Sequence, residues 1–289
     1  MMLIRLLRSL PHWMLLLSLT LCARVWAASP IELKGDLTQG GLVVGQIAAD
    51  AQVWYDDHKL ELTKDGHFVF GFERDDDLNH SLKVRLADGQ EWTQPVTISA
   101  RDYDIQYIEG IPKKMMEPDP NDLKRIREEN AQVARARGRD SRLNYFLEGF
   151  ISPAKGPITG VYGSQRYFNG EPRRPHYGLD IAAPRGASVI APASGEVTLT
   201  HPDMFFSGGT LVIDHGYGVS STFIHLDKIL VKVGDKVEQG QEIAKVGSTG
   251  RATGPHLDWR INWFQTRLDP ALLLASEPKM MSNKNLQEK

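Results

Sequence analysis

From about residue 146 to residue 274 the chain keeps one texture. Short runs of apolar and β-forming residues are interrupted by glycine turns. ASVIAPASGEVTLT, GGTLVIDHG, VSSTFIHL and QEIAKVGS alternate or run apolar between those turns, and no helix-period pattern of useful length occurs. Period-two alternation puts apolar residues on one face of a sheet, whereas a helix built from the same residues has no continuous apolar stripe. The expected fold is therefore mainly β, with a glycine-rich β domain over residues 146–275.

The upstream part reads differently. HFVFGFE and LKVRLA, separated by KDG, DDDLNH and ADG, predict a small antiparallel β-sandwich over residues 28–100. His58, His67 and His80 fall among turn residues there and read as surface histidines. Residues 101–145 read as a connector strand and helix. ARDYDIQYIEGIP alternates, EPDPNDL breaks the chain, and a helix follows from about Asn121 to Arg137. Acids near its start and arginines near its end suit the helix dipole. It reads as a solvated helix packed along one stripe; the alternative is an arm covering the next domain. The polar residues 276–289 read as a tail.

Residues 1–27 have the layout of a secretory signal peptide. Arg5 and Arg8 precede the apolar run WMLLLSLTLC, and a small-residue site ends at Ala27. That run is short of the roughly 20 residues a bilayer span needs. A retained anchor, or lipidation at Cys22, is the alternative; the large Leu21 argues against lipidation. Cleavage after Ala27 removes Cys22, the one cysteine, so the remaining chain has no thiol for a disulfide, nucleophile or metal ligand. It also removes Arg5, Arg8 and Arg24, so Lys+Arg falls from 34 to 31 against 36 acids and the net charge becomes −5. An exported, mildly acidic chain is a poor nucleic-acid binder. No later segment is apolar enough to span a membrane.

The β domain holds His176, His201, His215, His225 and His256. HYGLD sets His176 and Asp180 four apart, on one face of an extended segment. HLD sets His256 and Asp258 on one strand face. Imidazole nitrogen and carboxylate oxygen are good zinc donors, and a catalytic site needs three of them plus an open position. Either pair alone is weak. There is no HExxH helix, no GxSxG elbow, and VGSTGRATGP lacks the GK[ST] ending of a phosphate loop. SGEV and VGDKVEQGQEIAKV suggest half-motifs of biotinyl or lipoyl carriers, but no displayed-lysine tip accompanies them.

Read in order, RRPHYGLDIAAPRGASVIAPASGEV and LVIDHGYGVSSTFIHLDKILVKVGDKVEQGQEIAKVGSTGRATGPHLDWRI closely resemble the lysostaphin/LytM-like zinc metallopeptidases of bacterial cell walls. The resemblance covers about 110 to 130 residues. The upstream sandwich and IQYIEGIP are more loosely similar to exported Gram-negative members. The resemblance implies an antiparallel β metallopeptidase fold, barrel-sandwich related. It implies His176 and Asp180 as zinc ligands, and His225 and His256 as catalytic. His215, in the DHG turn, reads as structural, and His201 has no family role.

Asp258 stands where the family has its third zinc ligand, a histidine. Three readings stay open. Asp258 binds zinc, giving one histidine and two aspartates; the metal would then be a weaker Lewis acid, and Mn²⁺ or another divalent metal becomes acceptable. Alternatively the site is dead, and the domain binds peptidoglycan or activates a cell-wall amidase. In the third reading Asp258 stands outside the metal's own ligands. The first implies an exported peptidoglycan endopeptidase cutting amide bonds in stem peptides or cross-links, with a D-Ala–diaminopimelate cross-link as the leading substrate. His256 would be the general base, and His225 would stabilise an oxyanion or relay a proton. The implied cofactor is one Zn²⁺ per chain and the implied partner is peptidoglycan, with a cell-wall enzyme as a second partner. The implied location is the periplasm, or secretion.

Overall fold

The computed structural model describes residues 31–110 and 119–274. The expected signal peptide and polar tail, together with Cys22, lie outside the described residues. The first strands are β1 (Glu32–Gly35), β2 (Leu42–Gln46), β3 (Gln52–Tyr55), β4 (His58–Leu60), β5 (His67–Gly71), β6 (Asn79–Arg85) and β7 (Glu91–Thr97). They form two antiparallel sheets, β1-β2-β5 and β4-β3-β6-β7. Phe68 and Phe70 on β5 and Leu82 on β6 are fully buried. Pro95, which has no N–H to donate, is placed on the edge strand β7.

Strand β8 (Ile105–Ile108) and helix α1 (Leu123–Arg137) follow. The helix starts two residues later than the sequence suggests. Asp122 stands at its N-cap without a capping hydrogen bond, and no acid lies in its first turn, but Arg135 and Arg137 do occupy its last. The helix buries Ile126, Glu129, Ala136 and Arg137, two of which are charged.

The larger sheet is built from β9 (Ile158–Gly160), β12 (Leu179–Ala182), β13 (Ser188–Ile190), β14 (Gly195–Met204), β15 (Gly208–Gly216), β16 (Val219–Ile229), β17 (Lys236–Val237), β18 (Glu242–Val246), β19 (His256–Trp263) and β20 (Thr266–Leu268). Its main path runs β17-β14-β15-β16-β19-β12-β9, and its named pairings are all antiparallel. The two remaining strands, β10 (Gln165–Phe168) and β11 (Glu171–Pro172), make a hairpin outside this sheet. The connector strand β8 pairs with β10 in parallel.

In β19, Leu257, Trp259 and Ile261 are fully buried in the core, and the alternate residues His256, Asp258, Arg260 and Asn262 take the opposite face. Apolar contact continues into the upstream sheets. Tyr55 meets Trp263 edge-on at 6.1 Å, and buried residues from both parts of the chain form one core cluster. Two polar links cross the same boundary: Arg74 Nε donates to the Gly163 carbonyl at 2.8 Å, and Arg101 pairs with Asp269 at 2.8 Å. Among the described residues no helix is long and apolar enough to cross a membrane.

Candidate metal centre

Strands β12 and β19 pair so that Asp180 stands directly opposite Asp258 and Ala182 opposite His256. Like charges in direct register repel, so this arrangement calls for a cation. His176 lies in the loop before β12, and its backbone is pinned on both sides: its N–H donates to the Ser164 carbonyl at 2.9 Å, and its carbonyl accepts from Gly163 N at 2.8 Å. His176, Asp180 and Asp258 each offer a ligand atom within 4.8 Å of the others. His176 Nε2 and Asp180 Oδ1 are 3.2 Å apart, both buried, and neither has a hydrogen-bond partner in the protein. A pair of buried, unsatisfied donor atoms aimed at one point is what a metal site requires.

Two glycines make room for the carboxylates. A Cβ on Gly178 would lie 2.0 Å from Asp258 Oδ1, and one on Gly160 would lie 2.2 Å from Asp180 Oδ2. Neither space admits a side chain.

Asp258 differs from the other two donors. Arg260, next but one on the same strand face, grips it with both arms: Nε to Oδ1 at 2.9 Å and Nη2 to Oδ2 at 2.5 Å. Burial acts to raise the Asp258 carboxyl, but the guanidinium outweighs it and holds the group at about 2. A carboxylate offers about four lone-pair positions and Arg260 uses two, so each oxygen keeps one for a metal. The residues therefore fit a divalent cation. One neutral histidine, two aspartates and one arginine sum to −1, the same charge as two histidines and one aspartate. The weakening of the metal's charge expected from a second carboxylate is thus offset by Arg260. Burial acts to lower the His176 imidazole, and the Asp180 and Asp258 charges outweigh it, so its pKa is raised.

The two further histidines face each other beside this cluster, with ring centroids 4.8 Å apart. His225 Nδ1 lies 2.8 Å from the Thr249 carbonyl and His256 Nδ1 lies 2.8 Å from the Gly254 carbonyl. A carbonyl only accepts, so each Nδ1 carries the proton and each neutral ring keeps its Nε2 lone pair. His256 Nε2 is 4.0 Å from Asp180 Oδ1, on the side of the cluster. His225 owes its direction to its backbone. It has φ 65°, in the left-handed region, where the pairing of β16 with β18 slips register after Leu226. Its preceding residue Ile224 pairs with Asp258. Regular alternation would send His225 to the other face; the irregularity re-aims it. Burial pushes its imidazole down, so it is neutral near pH 7.

His215 lies apart from the site, fully buried, with Nδ1 at 2.7 Å from the Ser194 carbonyl and Nε2 at 2.8 Å from Ser221 Oγ. His201 Nδ1 accepts from Asp203 N on the rim of β14. Of the upstream histidines, His80 is not a surface residue: its side chain is 6% exposed and contacts Asp56, Tyr55 and the Asp77 carbonyl. Arg260, Gly160 and the carbonyls of Thr249 and Gly254 complete the site without a motif of their own in the sequence, and Gly178, which marks the HYGLD segment as non-helical, also makes room for Asp258.

The fold and this donor set define a metallopeptidase-type β domain. Residues 174–270 match the model of peptidase family M23. A crystal structure of a Pseudomonas aeruginosa protein assigned to peptidase M23 superposes with TM-score 0.65 at 31% identity, covering 83% of this chain and 95% of that one. The chain belongs to the M23 peptidase family. It is 39% identical over 124 residues to the peptidoglycan DD-endopeptidase ShyB of Vibrio cholerae, and 45% identical over 89 residues to ShyA of the same organism. Those matches cover 42% and 30% of this chain, and 26% and 20% of the relatives, so the chain spans about a quarter or less of their length.

Proposed function

We propose that this chain is an exported zinc metallopeptidase that hydrolyses amide bonds in the stem peptides or cross-links of peptidoglycan, acting in the periplasm. The observation that carries this reading is the meeting of unsatisfied His176 Nε2 and Asp180 Oδ1 with Asp258, beside two histidines whose Nε2 atoms are both free to take a proton. The ShyA and ShyB names supply the substrate class.

His176, Asp180 and Asp258 would hold the ion. Zinc, or another divalent cation, supplies positive charge that polarises a carbonyl and acidifies bound water. His256 acts as general base: Nδ1–H is anchored on Gly254 and Nε2 points toward the cluster. His225 is neutral at the outset and serves as the second proton acceptor, passing a proton with its neighbour rather than standing as a fixed cation. Thr249 holds its ring orientation.

The second reading is an inactive module that binds peptidoglycan or activates a cell-wall enzyme. The grip of Arg260 on both oxygens of Asp258 is the observation in its favour. Incubation of metal-loaded wild type and His256→Ala with purified peptidoglycan decides between them. The peptidase reading expects new muropeptide fragments from the wild type alone; identical fragment patterns would leave the binding module.

A further inference from the structure

Beyond the donor cluster, the same sheet face carries positive charge that the protein does not neutralise. Arg137, at the end of α1, is 6% exposed and donates one hydrogen bond, to Thr222 Oγ1 at 3.4 Å. Arg267 on β20 has its Nη1 buried without a partner. Arg174, on the exposed rim, stands 5.6 Å from the Tyr177 ring, and Arg267 stands 5.5 Å from the same ring. Among the described residues none of these three arginines has an acid at ion-pair distance, whereas Arg260 has Asp258. Burial, then the neighbouring guanidinia, hold the Arg267 cation down to about 10 and push Arg137 down as well. Carbonyls at the end of α1 and the Asp258 charge offset part of the Arg137 charge, and the Tyr177 ring and the more distant Glu73 offset part of the Arg267 charge, but neither guanidinium has an acid in contact. A buried cation without a counter-ion is strongly unfavourable, so an anion is expected here.

A row of polar atoms around Arg267 marks the same place. Ser220 Oγ, Asn262 Oδ1 and Arg267 Nη1 are all buried and all lack a hydrogen-bond partner. Ser220 pairs with Asn262, and Asn262 with Arg267, so the three stand in one row across β16, β19 and β20. The next row holds Thr222 and Arg260, and the row after it Ile224, Asp258 and Asp180. Of the three, Ser220 Oγ and Arg267 Nη1 can donate to an anion, whereas the amide oxygen of Asn262 only accepts.

Position gives the ligand class. Arg260 and Asn262 lie two and four residues from Asp258 on one strand, or about 7 and 13 Å. An extended peptide covers about two to four residues in that distance. Guanidinium forks match carboxylates in shape and charge. Resting on the peptidase reading of the adjacent cluster, we propose that Arg137, Arg174 and Arg267 form a subsite for a free carboxylate of the substrate peptide, about two to four residues from the bond that is cut.

The test uses the full chain, metal-loaded and carrying His256→Ala so that the probe survives. Calorimetry compares a cross-linked muropeptide dimer with its free carboxylates against the same dimer after amidation with ammonia. With Arg267 intact, amidation weakens binding about ten- to a hundredfold, the effect of one charge-assisted hydrogen bond. With Arg267→Gln added, the difference shrinks below about threefold. Equal binding of the two dimers with Arg267 intact, failure of the dimer with free carboxylates to bind, or an undiminished difference in Arg267→Gln overturns the subsite. Melting of the ligand-free Arg267→Gln chain is the second readout: the subsite expects an unchanged or higher midpoint, whereas a lower one assigns Arg267 a structural role. Cutting by the chain with His256 intact is scored separately, so discrimination without cutting keeps the subsite and rejects the peptidase reading.

Discussion

Arg260 sets the character of the donor cluster. Replacing it with glutamine removes one positive charge from beside Asp258 and, until a metal binds, lets burial raise that carboxyl. Unit charges about 4 Å apart interact by roughly 4 kcal/mol near a protein surface, so Arg260→Gln is expected to bind zinc at least about tenfold more tightly in chelator competition. Cleavage should slow at the same time, because the uncompensated carboxylate damps the ion's charge. Weaker zinc binding in this variant would instead make Arg260 a device for orienting Asp258. Gly178→Ala forces a methyl to within 2.0 Å of Asp258 Oδ1; elemental analysis should then find well under one metal per chain with the fold retained. His215 carries a pH effect. Its folded value is lowered to about 4 by burial, against an ordinary 6.5. The unfolded chain takes the proton first as pH falls, so the neutral His215 contributes full stability above pH 6.5 and loses it between there and pH 4. At 1.36 kcal/mol per unit the loss is about 3 kcal/mol, to be read from urea unfolding at pH 7 and pH 4 with His215→Gln as reference. Asp258 was legible as a departure because the neighbouring motif residues fix its place in order. Its partner was legible in principle, since DWR puts residues 258 and 260 on one strand face. The anchors of His225 and His256 were not, because backbone carbonyls leave no mark in side-chain identity.

At the scale of elements, α1 supports the site through a chain of contacts. Glu129 accepts from Arg125 Nε at 2.7 Å and from Phe205 N at 2.8 Å. Phe205 belongs to the turn between β14 and β15, and Ser207 in that turn accepts from His225 N at 2.8 Å. The helix thus steadies the segment that holds His225 in its left-handed conformation. Glu129→Ala removes the acceptor of the half-buried Phe205 N–H and should cost about 1 kcal/mol, measured as a lower urea midpoint with unchanged slope. The strand texture of residues 146–274 made the β elements readable from alternation. The path of α1 was not readable, because Glu129 and Arg137 count as solvent-facing in any hydropathy pattern, yet both are buried. The irregularity at His225 was equally hidden: one left-handed residue within β16 reverses which face a side chain takes, and no pattern of residue types announces it.

Across the whole molecule, the upstream sheets and the metallopeptidase-type sheet share apolar contact. Tyr217 Oη donates to the Leu62 carbonyl at 3.4 Å, Tyr55 and His58 meet Trp263, and Arg101 reaches Asp269. A chain cut down to residues 146–275 should therefore melt several degrees lower and bind a hydrophobic dye that the full chain does not bind, since the cover over Trp263 is gone. An unchanged midpoint would mean that the boundary contacts contribute little. The sequence separated these two parts by texture, but residue types alone do not say which strand of one part rests on which strand of the other. The order of strands has a consequence of its own in time. His176 and Asp180 are synthesised well before Asp258, and β19, which carries Asp258, must insert between β16 and β12 near the end of the run. Chain growth from the N-terminus therefore leaves the donor set open until that late strand is in place. An unfinished chain lacks the complete donor set, which comes together only once β19 closes the sheet.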